Sequence, residues 1–586
     1  MLALGIHFGH DASVSVCSPD GVLFSLQEER LSRIKHHCGF PRLGVEMALA
    51  RYGRPGQDIP IVAFSTSEVI LPEHRTAWLV PADGERASVG SKAADGQRLS
   101  KIREKVHRTW NEFASRHWCE HVDWMNEAGL LCDDVTHYYV AHHRAHAASA
   151  FRLCGVSGAP VTVLSCDGKG DGLSAAIYRG ERDSRLTYLC GSTPVHSVGM
   201  FYQAITEALG FVPVDGEYKT MGLAACGAAH GRPNPFAGIV SVADGVLASR
   251  IPWKAAPYND RHPDKRVDNP IGSVIQADDF QRMLGSYSAE DLAHFAQAHF
   301  EEVMLALASD AMRLAGSRHL AAAGGVMLNV KANALIRDQV QPASYFVYPD
   351  SADSGLAAGA ALEALHHEGA IQSPVTFTNP YLGNEFDDDA VRAALERWHS
   401  RESLIIEEVT PADVAAKVER GAIIGTFQGR LECGPRALGN RSVIADPRRA
   451  DVKDRINLLL KGREPFVPFA PSLLEEDAHL YWDGPIDYPF MTFAVRASDY
   501  AKRTVPAVVH VDGTLRPQVV NEQRNATYTA LLRAFKQLTG VGVLLNTSFN
   551  RHGHAIVGSP DDALQHLVNG WVEGVWMSRW FVTVGK

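Results

Sequence analysis

"LALGIHFGHDASVSVCSPDGVLFSLQEE", residues 2–29, alternates apolar extended runs with turn chemistry. LALGIHF reads as a first strand, GHDAS as a tight loop, VSVCS as a second strand, PDG as a turn and VLFSLQEE as a third strand. The same grammar returns at 161–190, "VTVLSCDGKGDGLSAAIYRGERDSRLTYLC", again as strand, glycine loop, strand, turn and strand. Helical stretches follow. The clearest is "AEDLAHFAQAHFEEVMLALASDAMRLAGS" at 289–317, with apolar residues at helical spacing.

The repetition predicts an α/β chain with a duplicated half. βββαβα halves with glycine-rich loops at strand ends describe the actin-like (ASKHA) nucleotide fold. Two unrelated α/β subdomains are the alternative. At 367–384, "HEGAIQSPVTFTNPYLGN", helical periodicity gives way to Pro, Gly and Asn, as in a linker. A first domain is therefore placed at 1–366 and a second at 385–586, where the apolar strand "AIIGTFQG" begins a new core.

The 586 residues suffice for at least two cores. A hydrophobic content of 46% and a charged content of 21% are those of a globular enzyme. The net charge of −10 is spread along the chain, which disfavours a nucleic-acid partner. The nine cysteines are scattered, without a C-x-x-C, so a thiolate zinc site or disulfide scaffold is not expected and a reducing, cytoplasmic setting is. The start lacks a basic, then apolar, leader pattern, and no apolar run is long enough to cross a membrane.

In "YYVAHHRAHAASA", 138–150, His142 and His146 fall one helical turn apart and can chelate one ion. His143 stands where the zinc proteases carry their general-base glutamate, so hydrolytic zinc chemistry is not supported. Histidines bonded to backbone at a helix start are the plainer reading. Two carboxylates at strand ends favour the ion: Asp167 closes "VTVLSCD", and Asp353 sits at the strand-to-helix junction "FVYPDSADSGLAAGAA". Two imidazoles with two carboxylates suit Fe(II), Mn(II) or Zn(II). Taken alone, Asp167 reads as a turn cap and Asp353 as a helix N-cap.

In "AAAGGVMLNVKAN", Gly324 and Gly325 let backbone N–H groups approach a phosphate, or simply make a tight turn. "DGEYKTMGLAACG" offers Lys219. The second domain is richer in cations. "GRLECGPRALGNRSVIADPRR" carries Arg430, Arg436 and Arg441; "LLLKGREPFVPFAPS" carries Lys461 and Arg463; "TLRPQVV" carries Arg516. "VGVLLNTSFNRHG" ends an apolar strand in Asn546, Thr547, Ser548 and Asn550. Cations and hydroxyls in shaped loops favour an oxyanion pocket over surface arginines.

Together, HDAS, EERLSRIKHH, HHRAHAAS, CDGKGDG, KTMGLAACG, GGVMLN, GPRALGNRS, KGRE…PFAPS and LNTSFN occur in the order found in the O-carbamoyltransferases of nodulation-factor, cephamycin and nebramycin type, which the chain resembles along nearly its whole length. The resemblance implies an N-terminal domain similar to the tRNA threonylcarbamoyladenosine transferase and a C-terminal YrdC-like domain. It implies that ATP and carbamoyl phosphate, with Mg as a further candidate ion, give carbamoyl adenylate, and that the carbamoyl group then passes to a hydroxyl of a small natural product. It places iron on His142, His146, Asp167 and Asp353. It assigns Lys35, Lys219, Gly324, Gly325 and Asn329 to an N-terminal nucleotide pocket. His10, in the loop over that pocket, is our own candidate for orienting or deprotonating the acceptor hydroxyl; a histidine that caps the loop is the plainer reading. Lys461, Arg516 and Ser548 fall on the carbamoyl-phosphate positions, and Arg436 and Arg441 on the ATP phosphates; Asn550, at the end of the same strand, is counted among the binding residues. A homodimer is implied as well.

One position departs from the family. Val467 stands where R-P-F-A-P is usual; loss of such a donor costs about 1.5–3 kcal/mol unless another cation replaces it. Cys226 is a smaller change. Val467 keeps open a nitrogen acceptor or a different carbamoyl donor, and a non-catalytic nucleotide-binding regulator is the alternative from another class. The stretch 70–135, with Trp78 and Trp110, is a candidate insertion over the acceptor site.

Overall fold

The computed structural model describes residues 1–65, 76–79, 124–250, 282 and 284–585. Contacts divide the chain into two units: Met1–Glu28 with His36–Phe377, and Glu29–Lys35 with Thr378–Lys586. The division falls inside the linker-like 367–384 segment, and a short N-terminal stretch joins the second unit.

In the first unit, β1 (Ala3–His7), β2 (Ser13–Ser18), β3 (Gly21–Gln27), β4 (Ile61–Phe64), β5 (Thr76–Leu79) and β6 (Thr136–Val140) form one sheet in the order β3-β2-β1-β4-β6-β5. β7 (Val161–Gly170), β8 (Leu173–Gly180) and β9 (Leu186–Ser192) open a second sheet. After a separate hairpin of β10 (Val240–Ala243) and β11 (Val246–Ser249), β12 (His319–Ala323) and β13 (Ser344–Val347) complete it in the order β13-β12-β7-β8-β9.

The two sheets repeat one plan. The opening strand pairs antiparallel with the second and parallel with the fourth; the second pairs antiparallel with the third. This is the duplication expected from residues 2–29 and 161–190, and it gives the actin-like α/β layout. β1 and β4 are buried along their whole length, consistent with strands covered on both faces.

The helices His142–Arg152 and Leu356–His367 follow β6 and β13, the equivalent positions of the two halves. Both are rich in alanine and buried along nearly their entire length. Alanine favours helix and permits close approach. Between them buried Arg152 donates through Nε to buried Glu363 Oε2 at 3.1 Å, and half-buried Arg144 through Nε to Glu363 Oε1 at 2.9 Å.

The second unit is an α/β domain on an eight-stranded sheet, ordered Leu404–Glu408, Trp580–Val584, Gly574–Met577, Ile424–Phe427, Ser442–Ala445, Val543–Ser548, Ala470–Leu474, Gln518–Val520. Helices Pro411–Glu419 and Ala526–Thr539 cover it around a core containing Val414, Leu531, Phe535 and Trp576. The described cysteines are free thiols. Among the described residues, no helix is long and apolar enough to cross a membrane. Trp110 and most of 70–135 lie outside the described residues; within that stretch, β5 pairs parallel with β6.

Candidate metal centre and anion pocket

His142 and His146 lie on one face of the helix that starts directly after β6, and both are buried. Asp167 belongs to β7, whose apolar body ends at this carboxylate. Asp353 opens the 3-10 turn Asp353–Gly355 leading into helix Leu356–His367. The four residues, remote in sequence, offer ligand atoms within 4.8 Å of one another. His142 Nε2 is 3.1 Å from Asp167 Oδ2, 3.2 Å from His146 Nε2 and 3.6 Å from Asp353 Oδ1. His146 Nε2 is 3.5 Å from the same Asp353 oxygen.

Two facing imidazole nitrogens and two carboxylates in a shielded pocket demand positive charge between them. Burial works against a charged His142, yet Asp353 and Asp167 push its pKa up to about 9. Burial and His142 hold His146 down at about 3. Burial and the Asp167 charge raise Asp353 to about 6, whereas His142 keeps Asp167 far below the usual carboxylate range against its own burial. A divalent ion satisfies the same four groups at once, and the donor set fits one.

Surrounding groups aim these ligands. Gly325 N–H donates to Asp167 Oδ1 at 2.8 Å, leaving Oδ2 toward His142. Gly324, at φ 107°, makes that turn possible; a Cβ there would stand 2.0 Å from the Cys166 carbonyl oxygen. The Gly-Gly turn, expected to meet a phosphate, gives one of its N–H groups to the Asp167 carboxylate. The His142 backbone N–H donates to Asp171 Oδ2 at 2.7 Å, and a Cβ on Gly170 would strike the His142 ring at 2.2 Å. Asp171 and Gly170 were not singled out from the sequence, although both lie in the quoted CDGKGDG run.

The other N-terminal residues have varied settings. His10 pairs through Nδ1 with Asp11 Oδ2 at 3.2 Å and stacks on His36 with ring centroids 4.9 Å apart. Lys219 is buried, its Nζ 5.6 Å from the Phe211 ring centroid. The Asn329 side chain caps helix Val330–Val340 through Ala332 N–H and exchanges two hydrogen bonds with Gln297, at 3.0 and 3.1 Å. Lys35 belongs to the segment grouped with the second unit, where its Nζ is 3.4 Å from Glu29 Oε2.

In the second unit the apolar strand Val543–Ser548 runs into the loop that binds Lys461. Lys461 is buried, and its Nζ donates to the Ser548 carbonyl at 2.6 Å, Ser548 Oγ at 3.1 Å, the Asn550 carbonyl at 2.9 Å and Asn550 Oδ1 at 2.9 Å. Burial and Arg463 push its pKa well down. Arg516 is likewise driven down by burial, Arg436 and Arg463. Lys461, Arg463, Arg516 and Arg436 therefore gather as a cationic group whose mutual repulsion an anion relieves.

Arg441 has another employment. It is fully buried, donates to the Gln428, Asn440 and Gly429 carbonyls at 2.6, 3.1 and 3.1 Å, and lies 3.7 Å over the Phe427 ring. It shapes the loop on which Arg436 sits. Buried Glu432 does the same, accepting from the N–H groups of Leu438, Asn440 and Arg441 at 2.7, 2.8 and 3.2 Å. No pattern in the sequence marked Glu432.

Two family models match the chain: Carbamoyltransferase N-terminus over residues 2–362 and Carbamoyltransferase C-terminus over 415–583. Nodulation protein NolNO of Sinorhizobium fredii is 31% identical over 98% of this chain and 79% of its own length. Nodulation protein NolO of Bradyrhizobium diazoefficiens is 34% identical over 74% of this chain and 77% of its own. Nodulation protein U of Sinorhizobium fredii is 28% identical, with 98% of each chain covered.

Proposed function

The chain belongs to the carbamoyltransferase family and is a carbamoyltransferase; from that premise we propose an ATP-dependent reaction in two halves, with a hydroxyl of a small natural product or its precursor as acceptor. What supports this reading is two different groups of side chains: a largely buried His–His–Asp–Asp cluster in one unit, and the buried Lys461 with the charges of Arg463, Arg436 and Arg516 in the other.

In the first half, Lys461, Arg516, Arg463 and Arg436 hold the anionic oxygens of carbamoyl phosphate and ATP. Water cleaves carbamoyl phosphate to carbamate and phosphate, the water oxygen ending in one of the two products and a proton being released; a carbamate oxygen then attacks the α-phosphorus of ATP, and pyrophosphate leaves. The purpose is chemical. Carbamate is a poor electrophile because its anionic oxygen leaves badly, whereas AMP leaves a mixed anhydride readily. Preorganised cations match the charge that develops on the phosphoryl oxygens. Val467 is buried, and its N–H donates to the Glu464 carbonyl at 3.1 Å. Arg463, stacked 4.6 Å over the Phe469 ring, is our candidate for the cation that serves in place of the usual arginine.

In the second half, the acceptor oxygen bonds to the carbamoyl carbon, the bond to AMP breaks, and His10 takes the acceptor proton. His142, His146, Asp167 and Asp353 would hold a divalent ion, which we propose to be Fe(II), with Mn(II) and Zn(II) the ions of similar preference. Bound there, it supplies polarisation of a carbonyl or phosphoryl oxygen. Gly325 and Asp171 keep the ligands aimed. A cytoplasmic homodimer acting on a small molecule, without nucleic acid or membrane, completes the reading.

The test is an acceptor-free reaction with purified protein, ATP and [14C]carbamoyl phosphate, followed for labelled carbamoyl adenylate and pyrophosphate. Both should appear together. ATP binding without either product would overturn the donor chemistry and favour the second reading that Val467 supports, a different carbamoyl donor.

A further inference from the structure

Beside the metal cluster, and separate from its four ligands, a second group of titratable side chains is drawn together by two loops of the first unit. Loop 8–12 leaves β1; residues 36–39 lie against it, with Ala12 N–H on the His37 carbonyl at 2.9 Å and Gly39 N–H on the Phe8 carbonyl at 3.0 Å. Asp11 and His36 both adopt left-handed backbone conformations, φ 58° and 53°, which are uncommon for residues with side chains. Such conformations persist where the surroundings over-determine them.

Asp11 uses both carboxylate oxygens. Oδ2 faces His10 Nδ1 at 3.2 Å, and Oδ1 faces His36 Nδ1 at 2.7 Å. His36 Nε2 in turn meets Asp215 Oδ1 at 3.3 Å. Both ring nitrogens of His36 thus face a carboxylate oxygen. Asp11 is then an acceptor on both oxygens, and its pKa stands far below the usual range because His10 and His36 outweigh its burial. His10 turns Nδ1 toward Asp11, which leaves Nε2 as the ring nitrogen away from that carboxylate.

We propose that Asp11, His36 and Asp215 are positioning residues that fix His10 in the Nδ1–H form, with Nε2 presented to take the acceptor proton. This rests on the reading of His10 given above. A base whose tautomer and direction are set before substrate arrives loses nothing to reorientation, and a carboxylate behind an imidazole stabilises the cation formed when it is protonated. His36 prevents Asp11 from turning away, and Asp215 anchors His36. The step balances: the hydroxyl proton goes to His10 Nε2, the oxygen lone pair forms the bond to the carbamoyl carbon, and the pair of the breaking bond leaves with AMP.

The experiment is 15N NMR on the Zn(II)-loaded full chain labelled at histidine, recorded where His10 is neutral, with the His10 signals assigned from His10→Gln. Wild type should show a single Nδ1–H tautomer. Asp11→Asn and Asp215→Asn should each give a mixture, and His36→Gln should do so while keeping the fold, as judged by retained zinc. With the donor chemistry running, Asp11→Asn should lower carbamoyl adenylate turnover to water tenfold or more at unchanged KM. A purely structural role would move neither the tautomer nor that split. An unchanged His10 tautomer in zinc-loaded Asp11→Asn overturns the proposal. Failure of the carbamoyl-transfer reading would show separately, as a wild type that makes no carbamoyl adenylate, and leaves the NMR result standing.

Discussion

His142 Nε2 and His146 Nε2 face each other at 3.2 Å, with Asp353 Oδ1 within 3.6 Å of both. Two neutral imidazole nitrogens of acceptor type repel at that distance, so a proton or a metal ion must lie among these atoms. The helix that carries them and the turn that carries Asp353 follow equivalent strands of the two halves. Duplication thus puts the ligands opposite one another.

His146→Ala and Asp353→Ala should each lower metal affinity at least tenfold to a hundredfold, the scale seen when ligation or its support is lost. Metal content after dialysis against a weak chelator checks this. A wild type that holds no divalent ion under the same dialysis would refute the site.

Metal uptake should depend on pH with a definite sign. His142, whose pKa is raised to about 9, is protonated in the free site near neutrality and must lose that proton to ligate. Affinity should therefore rise with pH up to about 9, by about tenfold per unit where one proton is released. Below about 6, Asp353 is protonated as well, and the slope should approach two protons. Calorimetry in buffers of different ionisation enthalpy counts the protons directly.

Gly170→Ala should weaken metal binding without unfolding the unit. The added Cβ would stand 2.2 Å from the His142 ring, which must turn off its aim. The expected result is a metal affinity reduced at least tenfold with an unchanged far-ultraviolet circular dichroism spectrum.

Glu363→Ala should destabilise the first unit. It removes the carboxylate from Arg152, which is 1% exposed, and leaves a buried charge uncompensated. The cost should be about 3–5 kcal/mol, seen as a lower unfolding midpoint by calorimetry.

The fold was legible where the pattern was local and repeated. Residues 2–29 and 161–190 share one order of strand and turn signals, and the sheets reproduce it. The gathering of His142, His146, Asp167 and Asp353 was legible because the two histidines share a helical spacing, and the two aspartates end apolar runs. Other roles depend on tertiary contacts that no spacing encodes. The Gly324–Gly325 turn reads as a phosphate loop, and nothing in its spacing shows that Gly325 donates to Asp167. Arg441 reads as a phosphate ligand, and nothing in its spacing shows that its guanidinium donates to three carbonyls. Asp11 and His36 lay inside quoted motifs, but their link spans two loops and two left-handed residues.

The most direct measurement is acceptor-free pyrophosphate release from ATP and carbamoyl phosphate in three proteins: wild type, Lys461→Ala and His146→Ala. If the two sites serve separate half-reactions, release should fall on the order of 10²–10³-fold in Lys461→Ala, as for a lost preorganised donor, and persist in His146→Ala. Release that survives in Lys461→Ala, or that disappears in folded His146→Ala, would contradict the division of labour on which the account rests.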